Sequence, residues 1–358
     1  MSISEAKAST FEYFPANKEV FEPGRPVLSI IIDCYYRRDL VRESIQSVID
    51  QEYPNVELIL VNNGAEQDVS DYLLHIHNSI KNVPLIKFTE NQFDWNDTIK
   101  SVAICWNAAL IHAKGDYVSH LSYDDLLSTN YAARMIQLFV DNPDCVTAAP
   151  TSVVIDEHGN VTGSSAAVNT RGRYTDGIKL AMDLIEGSPN KLFAAPGEIF
   201  VIKKDLLIKL GGYDRLVDVS QVLKYAIHGV SGFDPRASVI WRKHDGQLNK
   251  IAKKRGLIWY SDGQKAWQTS GIVEIWKQRF DAATVQALLA YKKKSSAAGP
   301  LSVIRENVSL KNFSGVFSAI INVTRECPSL LPQAFYAIVK QLVLIVSGKV
   351  SRIYLARR

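Results

Sequence analysis

The chain has 358 residues, 47% of them hydrophobic and 22% charged, with a formal net charge of +4. That is the make-up of a globular protein with room for one large domain or two, and the mild charge carries no nucleic-acid-binding signature. Cys34, Cys105, Cys145 and Cys327 stand far apart with no CxxC pair, which argues against a disulfide framework and for a reducing compartment.

Residues 1–25 are polar with scattered aromatics and contain no apolar export core. They read as a loosely attached arm. Residues 27–36 are β-branched and almost continuously apolar, the pattern of a strand covered on both faces. Asp39 is placed to cap a helix whose stripe is Leu40, Val41, Ile45, Val48 and Ile49. Pro54-Asn55 breaks that helix, residues 56–61 form a second buried strand, and Asn62-Asn63-Gly64 turns out of it. A helix over 71–80 and a strand over 85–88 follow. Residues 97–113 then form a longer helix with Ile99, Val102, Ala103, Trp106, Leu110 and Ile111 on its apolar side.

Gly115 ends that helix, and residues 117–121 form a short apolar strand running into Ser122-Tyr123-Asp124-Asp125. Helix 132–140 and strand 146–155 complete the first part. Strands alternating with helices imply βαβ units and a mainly parallel sheet. Two adjacent carboxylates just past a strand's carboxyl end lie where open α/β sheets bind ligands. Oxygen donors of this kind suit Mg²⁺ or Mn²⁺, shared with water and substrate phosphates. The same acids also suit the start of the following helix.

Several blocks in order carry a resemblance. They are Leu28-Ser29-Ile30-Ile31-Ile32 followed by Tyr35, residues 44–61, Asn107 through Gly115, and Leu121 through Asp125. Residues 200–207, Gly211-Gly212-Tyr213-Asp214, Asp218 ahead of Gly229, and Trp241-Arg242-Lys243-His244-Asp245-Gly246-Gln247 continue it, so that it spans about residues 27–249. Together these resemble family 2 glycosyltransferases, the inverting enzymes of GT-A fold.

The resemblance implies an α/β fold: a GT-A type, Rossmann-like, mainly parallel sheet flanked by helices. It implies an arm over 1–25 and a catalytic domain over 26–250. That domain has a nucleotide-sugar half at 26–150 and an acceptor half at 151–250, and a helical C-terminal region follows at 251–358. The implied activity is metal-assisted single displacement. A sugar moves from a nucleotide-sugar donor, a UDP-sugar first, to a glycan or lipid-linked glycan acceptor in cell-surface polysaccharide synthesis. Asp33, Tyr35, Asn62, Asn107, Ser122, Tyr123 and Arg242 would bind the donor. Asp124, Asp125 and His244 would hold Mn²⁺ or Mg²⁺, and Asp218 would be the general base. His244 taken alone reads more often as a structural histidine, and Asp218 also reads as a surface or capping acid.

Three departures bear on this. Asn62-Asn63 stands where the family has two acids, Ser122 replaces the first acid of the metal motif, and Val217 replaces the Glu of the catalytic pair. They keep open an alternative, a non-catalytic sugar-nucleotide or glycan-binding relative. Residues 161–175, with Arg171 and Arg173, read as a loop over the site, and Glu198 as a contact for the acceptor sugar. Beyond residue 249 the chain reads as helices interrupted at Lys292-Lys293-Lys294-Ser295-Ser296 and Gly299-Pro300. Residues 335–346 are apolar, too short a run to span a bilayer, and Lys349, Arg352, Arg357 and Arg358 follow. Two readings of this stretch stand side by side: peripheral contact with an anionic membrane, or packing on the domain or another subunit. The expected location is the cytoplasm, free or at the inner membrane face. No nucleic-acid partner is expected, and the oligomeric state stays open.

Overall fold

Continuously apolar runs in the first half become adjacent strands, because a strand enclosed on both faces can carry apolar side chains on both. The computed structural model describes residue 3 and residues 10–95, 97–164, 172–187, 200–256, 264–326 and 328–346. The chain divides into two units, Met1–Phe93 with Ile99–Lys243, and Asp94–Thr98 with His244–Arg358.

The first unit begins with β1 (Phe11–Phe14), β2 (Leu28–Cys34), α1 (Arg38–Ile49), β3 (Val56–Asn62), α2 (Gln67–Ser79) and β4 (Leu85–Phe88). Next come α3 (Thr98–His112), β5 (Tyr117–Ser122), β6 (Leu126–Leu127), α4 (Tyr131–Asp141), β7 (Cys145–Ile155), β8 (Val161–Ser164) and β9 (Tyr174–Asp176). It closes with α5 (Gly177–Glu186), β10 (Val201–Lys203), α6 (Lys204–Lys209), α7 (Val217–Ser220) and β11 (Val230–Arg242). One eleven-stranded sheet runs β1-β4-β3-β2-β5-β10-β7-β11-β6, with β8 beside β7 and β9 beside β11.

Strands β4, β3, β2 and β5 are mutually parallel, which aligns their carboxyl ends along one edge. β10 runs antiparallel between β5 and β7, while β7 and β11 are parallel to each other. The core combines the strand residues Ile30, Ile32, Leu58 and Leu60 with Val41, Ile45 and Val48 of α1. These helix positions recur every three or four residues, as a helix face against a sheet requires.

Local chemistry departs from expectation in three places. Asp39 does not cap α1. Arg37 holds the capping position at φ 60°, and its guanidinium donates to both Asp39 oxygens at 3.0 and 2.9 Å. Residues 10–25 are not a loose arm, since β1 adds an antiparallel edge strand to β4. Tyr13 stacks on His112 at 3.8 Å. Asn55 and Asn82 fasten the chain beyond it by hydrogen bonds to Glu22 and Val20. Within 161–175, expected to be a loop, β8 and β9 are strands, and Arg173 pairs with Asp141. Arg171 and Glu198 lie outside the described residues.

Glu57 is a buried carboxylate of this unit, 2% exposed. It accepts hydrogen bonds from Ser29 Oγ at 2.5 Å and from the Lys114 amide at 2.8 Å. Burial raises its carboxyl above the ordinary range, and those two donors offset only part of the effect. A group whose native pKa is raised contributes stability below its unfolded pKa and loses it as pH rises through the native value. Glu57→Gln keeps both acceptor contacts and carries no charge. It is therefore expected to melt higher than the parent at pH 7, with the difference vanishing below pH 4.5. Thermal melts across that window check it.

The second unit contains α8 (Leu248–Lys254), α9 (Gln264–Ser270), α10 (Ile272–Arg279), α11 (Ala282–Ser309), α12 (Phe313–Glu326) and α13 (Leu331–Val346). Asp94–Thr98 belongs with it, and the Arg255 guanidinium lies 3.9 Å from the Trp95 ring centre. α11 runs unbroken for 28 residues through Pro300, where a break was expected. Proline removes one helical hydrogen bond, and apolar packing holds the helix across it: Val303, Ile304 and Val308 share a core with Ala319, Val323 and Ala334.

Candidate active site

The parallel register gathers the candidate residues at one end of the sheet. Asp33 is the Cα partner of Val61 and of Ser122, and Cys34 is that of Asn62. β5 then turns sharply, with the Asp125 amide donating to the Ser122 carbonyl at 3.1 Å. That turn presents Tyr123, Asp124 and Asp125 beyond the strand end, close to Asp33.

Arg242 fixes this turn from the end of β11. Its backbone N–H donates to Asp125 Oδ1 at 2.9 Å and its Nε to the Asp124 carbonyl at 3.2 Å. Its guanidinium reaches Glu43 on α1 at 2.5 Å. The arginine side chain is only 4% exposed while Glu43 is 46% exposed, so the contacts to the acidic turn are sheltered and the ion pair opens to solvent, where it is screened. Arg242 thus braces the acidic turn, and it also forms one wall of a cavity of about 350 Å³ lined by Glu43, Leu126, Ile155, Glu157 and Ile240.

Two acids of the cluster are held above the ordinary carboxylate range. Burial pushes the Asp33 carboxyl up to about 6, against the pull of Trp106 Nε1, which donates to it at 2.8 Å, and the charge of Asp124 adds to the rise. Asp125 is raised far above the carboxylate range by burial and then by Asp124, while Arg242 opposes both. Burial and the Asp124 charge also raise the Tyr123 hydroxyl. Burial is the larger cause for both Asp33 and Asp125, and the charge of Asp124 adds a smaller repulsion. Among the described residues no group of three or more His, Cys, Asp or Glu side chains is arranged as a complete metal cage. The donor set fits an ion held by one or two carboxylates and completed by substrate oxygens.

Aromatic rings border the acids. Tyr36 lies 5.3 Å from Tyr123 and 5.5 Å from Tyr35, which is 41% exposed. On the inner side Trp106 stacks on His120 at 3.7 Å, and Tyr213 meets His120 edge-on at 5.5 Å. Burial lowers His120 to about 3, so the imidazole is neutral within this stack. The layer connects Asp33 to the turn at Gly212-Tyr213-Asp214.

Two expected donor contacts have other work here. Asn62 is 2% exposed. Its Oδ1 accepts from the Ala65 amide and its Nδ2 donates to Ser70 Oγ, so the side chain closes the turn at Gly64. Asn107 is wholly buried, and it donates to the Tyr213 carbonyl and accepts from the Tyr213 amide, both at 2.8 Å. Gly212 has φ +79°, and a Cβ there would fall on the Asn107 side chain, so the pair forms one lock. Asn107→Ala is expected to lower stability by about 2–4 kcal/mol, because a buried donor and a buried acceptor lose their partner together. Denaturant unfolding measures it.

Asp218 sits exposed in the first turn of α7. Asp214 is a brace: its oxygens accept from the Leu216 amide, Ser220 Oγ and Lys224 Nζ, the last at 3.0 Å in a buried pair. His244 opens the second unit and is 3% exposed. Reasoning from sequence missed Glu43, Trp106 and Tyr36. Trp106 directly precedes a motif residue and was read only as part of an apolar face.

Comparison with known proteins follows this geometry. The model of the family described as Glycosyl transferase family 2 matches residues 29–189. The putative teichuronic acid biosynthesis glycosyltransferase TuaG of Bacillus subtilis (strain 168) is 25% identical over 117 residues, 33% of this chain and 43% of TuaG. The UDP-Glc:alpha-D-GlcNAc-diphosphoundecaprenol beta-1,3-glucosyltransferase WfaP of Escherichia coli is 30% identical over 110 residues, 31% of this chain and 40% of WfaP. The chain therefore spans less than half the length of these curated relatives. The crystal structure of S. aureus TarS superposes with a TM-score of 0.50 at 14% identity, covering 88% of this chain and 53% of that one. That likeness concerns the fold, which is of GT-A type.

Proposed function

We infer from the membership of residues 29–189 in glycosyl transferase family 2 that this chain moves a sugar from a UDP-sugar to a glycan or lipid-linked glycan, with inversion, in cell-surface polysaccharide synthesis. The observation that carries the reading is the placing of Asp124 and Asp125 just past the end of β5, beside the end of β2 where Asp33 stands, in a turn braced by Arg242. The names of TuaG and WfaP support a polysaccharide role, and that of WfaP a UDP donor and a diphosphoundecaprenol acceptor.

In this reading Asp124, with Asp125 behind it, would hold Mg²⁺ or Mn²⁺, which when bound would offset charge on the departing diphosphate. Arg242 keeps the acid turn in place and adds positive charge beside it. Tyr35, Tyr36 and Tyr123 offer ring faces to the nucleotide. His244 is proposed as a further contact for the ion or the diphosphate. Asp218 accepts the proton of the attacking hydroxyl. Attack from the face opposite the leaving group inverts the anomeric centre.

The test is release of nucleoside diphosphate from a panel of UDP- and GDP-sugars with Mn²⁺, alone and with excess EDTA. UDP release from at least one UDP-sugar, suppressed by EDTA, is expected. Ser122, in place of the expected acid, favours a second reading, a relative that binds donors without turning them over. Saturable UDP-sugar binding with no diphosphate release from any donor establishes that reading and removes the first.

A further inference from the structure

The second unit carries an apolar surface that its own core leaves uncovered. On α13 one face packs inward: Ala334 belongs to the core with Val303, Ile304 and Val308, and Leu331, Ile338 and Ile345 rest against it. The opposite face presents Phe335, Tyr336, Val339, Leu342 and Val343, which are 59%, 66%, 59%, 44% and 60% exposed. Their spacing, i, i+1, i+4, i+7 and i+8, places them along one stripe. α12, packed beside α13, adds Phe313 and Phe317, one turn apart and 75% and 67% exposed.

A helix on the surface of a soluble unit normally buries one apolar face and shows a polar one. The exposed face of α13 is apolar apart from Gln333 and Lys340. Exposed apolar patches of this kind mark interaction sites. The charge of the C-terminal sequence specifies the partner. Residues 310–358 hold Lys311, Arg325, Lys340, Lys349, Arg352, Arg357 and Arg358 against a single acid, Glu326. The whole chain is +4, so its other residues together are negative by two charges. Positive charge is thus concentrated on the segment that exposes the aromatics, and that combination complements an anionic lipid surface.

We propose that α12 and α13 seat this unit on an anionic phospholipid bilayer, lying in the interface with Phe313, Phe317, Phe335, Tyr336, Val339 and Val343 inserted. The helical stretch Pro328–Ile345 is long and apolar enough to cross a membrane by length and composition, with a mean hydropathy of 1.3. Crossing would strip Ala334 and its neighbours from the core they share with α11, whereas lying flat keeps that face packed and buries the other. Eighteen residues also rise only about 27 Å, just short of the ~30 Å hydrocarbon core. Lys340 is exposed among the apolar residues, and its long stem lets the ammonium reach headgroup phosphates. The proposal does not depend on the reaction assigned to the first unit.

The experiment is co-sedimentation of the full chain with vesicles of equal parts phosphatidylglycerol and phosphatidylcholine, and with pure phosphatidylcholine vesicles. Two variants are compared, Phe335→Ser/Val339→Ser/Val343→Ser and Phe313→Ser/Phe317→Ser. All five positions are exposed, so both variants should melt like the parent, and thermal melts verify this. The parent is expected to sediment with the anionic vesicles, to bind the neutral ones about tenfold less, and to be released by high salt. Each variant should partition at least about tenfold more weakly. A parent chain that stays in the supernatant overturns the proposal, as do variants that bind like the parent. Self-association that the variants abolish, without vesicle binding, assigns the face to a second copy instead. Resistance to alkaline carbonate extraction from cell membranes overturns the surface-lying geometry.

Discussion

Asp124→Ala is expected to reduce sugar transfer by about 10³-fold or more, the scale of losing a preorganised electrostatic contact to developing charge. The fold should survive it. Arg242 Nε binds the Asp124 backbone carbonyl, and the neighbouring clamp runs from the Arg242 amide to Asp125 Oδ1, so truncating the Asp124 carboxylate leaves both in place. Asp124→Asn tests charge more sharply, since it keeps the volume and removes only the anion. A second readout is independent of turnover. The charge of Asp124 contributes to the raised pKa of Asp33, which stands at about 6. Removing that charge should move the Asp33 titration downward, measurable by carboxyl NMR. Unimpaired diphosphate release by Asp124→Asn, at saturating donor and saturating Mn²⁺, would remove Asp124 from the metal role.

Much of the architecture was readable because it rests on local periodicity. Residues 85–88 read as a strand and are one. The stripe Leu40, Val41, Ile45 and Val48 read as a helix face, and all four side chains are buried. What escaped reading depends on pairings between distant residues. β1 is four residues long and exists because β4 offers it an edge, which no local pattern announces. The Arg242–Glu43 pair spans 199 residues, and Glu43 carries no motif of its own. Asn62 and Asn107 were expected to bind the donor, and their side chains serve a turn and a lock, because a short amide satisfies buried backbone groups as readily as it meets a ligand. Pro300 misled for a related reason, since a breaker is a local penalty and the helix containing it is held by packing across the unit.

Asp218→Asn is expected to lower the turnover rate by about 10²- to 10⁴-fold, the usual cost of removing a positioned general base. The carboxamide keeps the shape and most of the hydrogen bonding but cannot take the acceptor's proton, so the KM for donor should change little. Asp218 is exposed in the first turn of α7, and the substitution should leave the melting temperature unchanged. Asp214→Asn is the necessary contrast. Both Asp214 oxygens are engaged, and its partner Lys224 is 5% exposed. Removing that charge leaves a buried ammonium without its counter-ion, a change that typically costs about 3–5 kcal/mol. The two variants should therefore separate cleanly in paired measurements of melting and turnover: Asp218→Asn folded and slow, Asp214→Asn destabilised. Pre-steady-state rates with excess donor would place the Asp218 defect in the chemical step rather than in product release. An Asp218→Asn enzyme with parental turnover, beside a folded but inactive Asp214→Asn enzyme, would transfer the base role to Asp214 and leave Asp218 as a surface acid of α7.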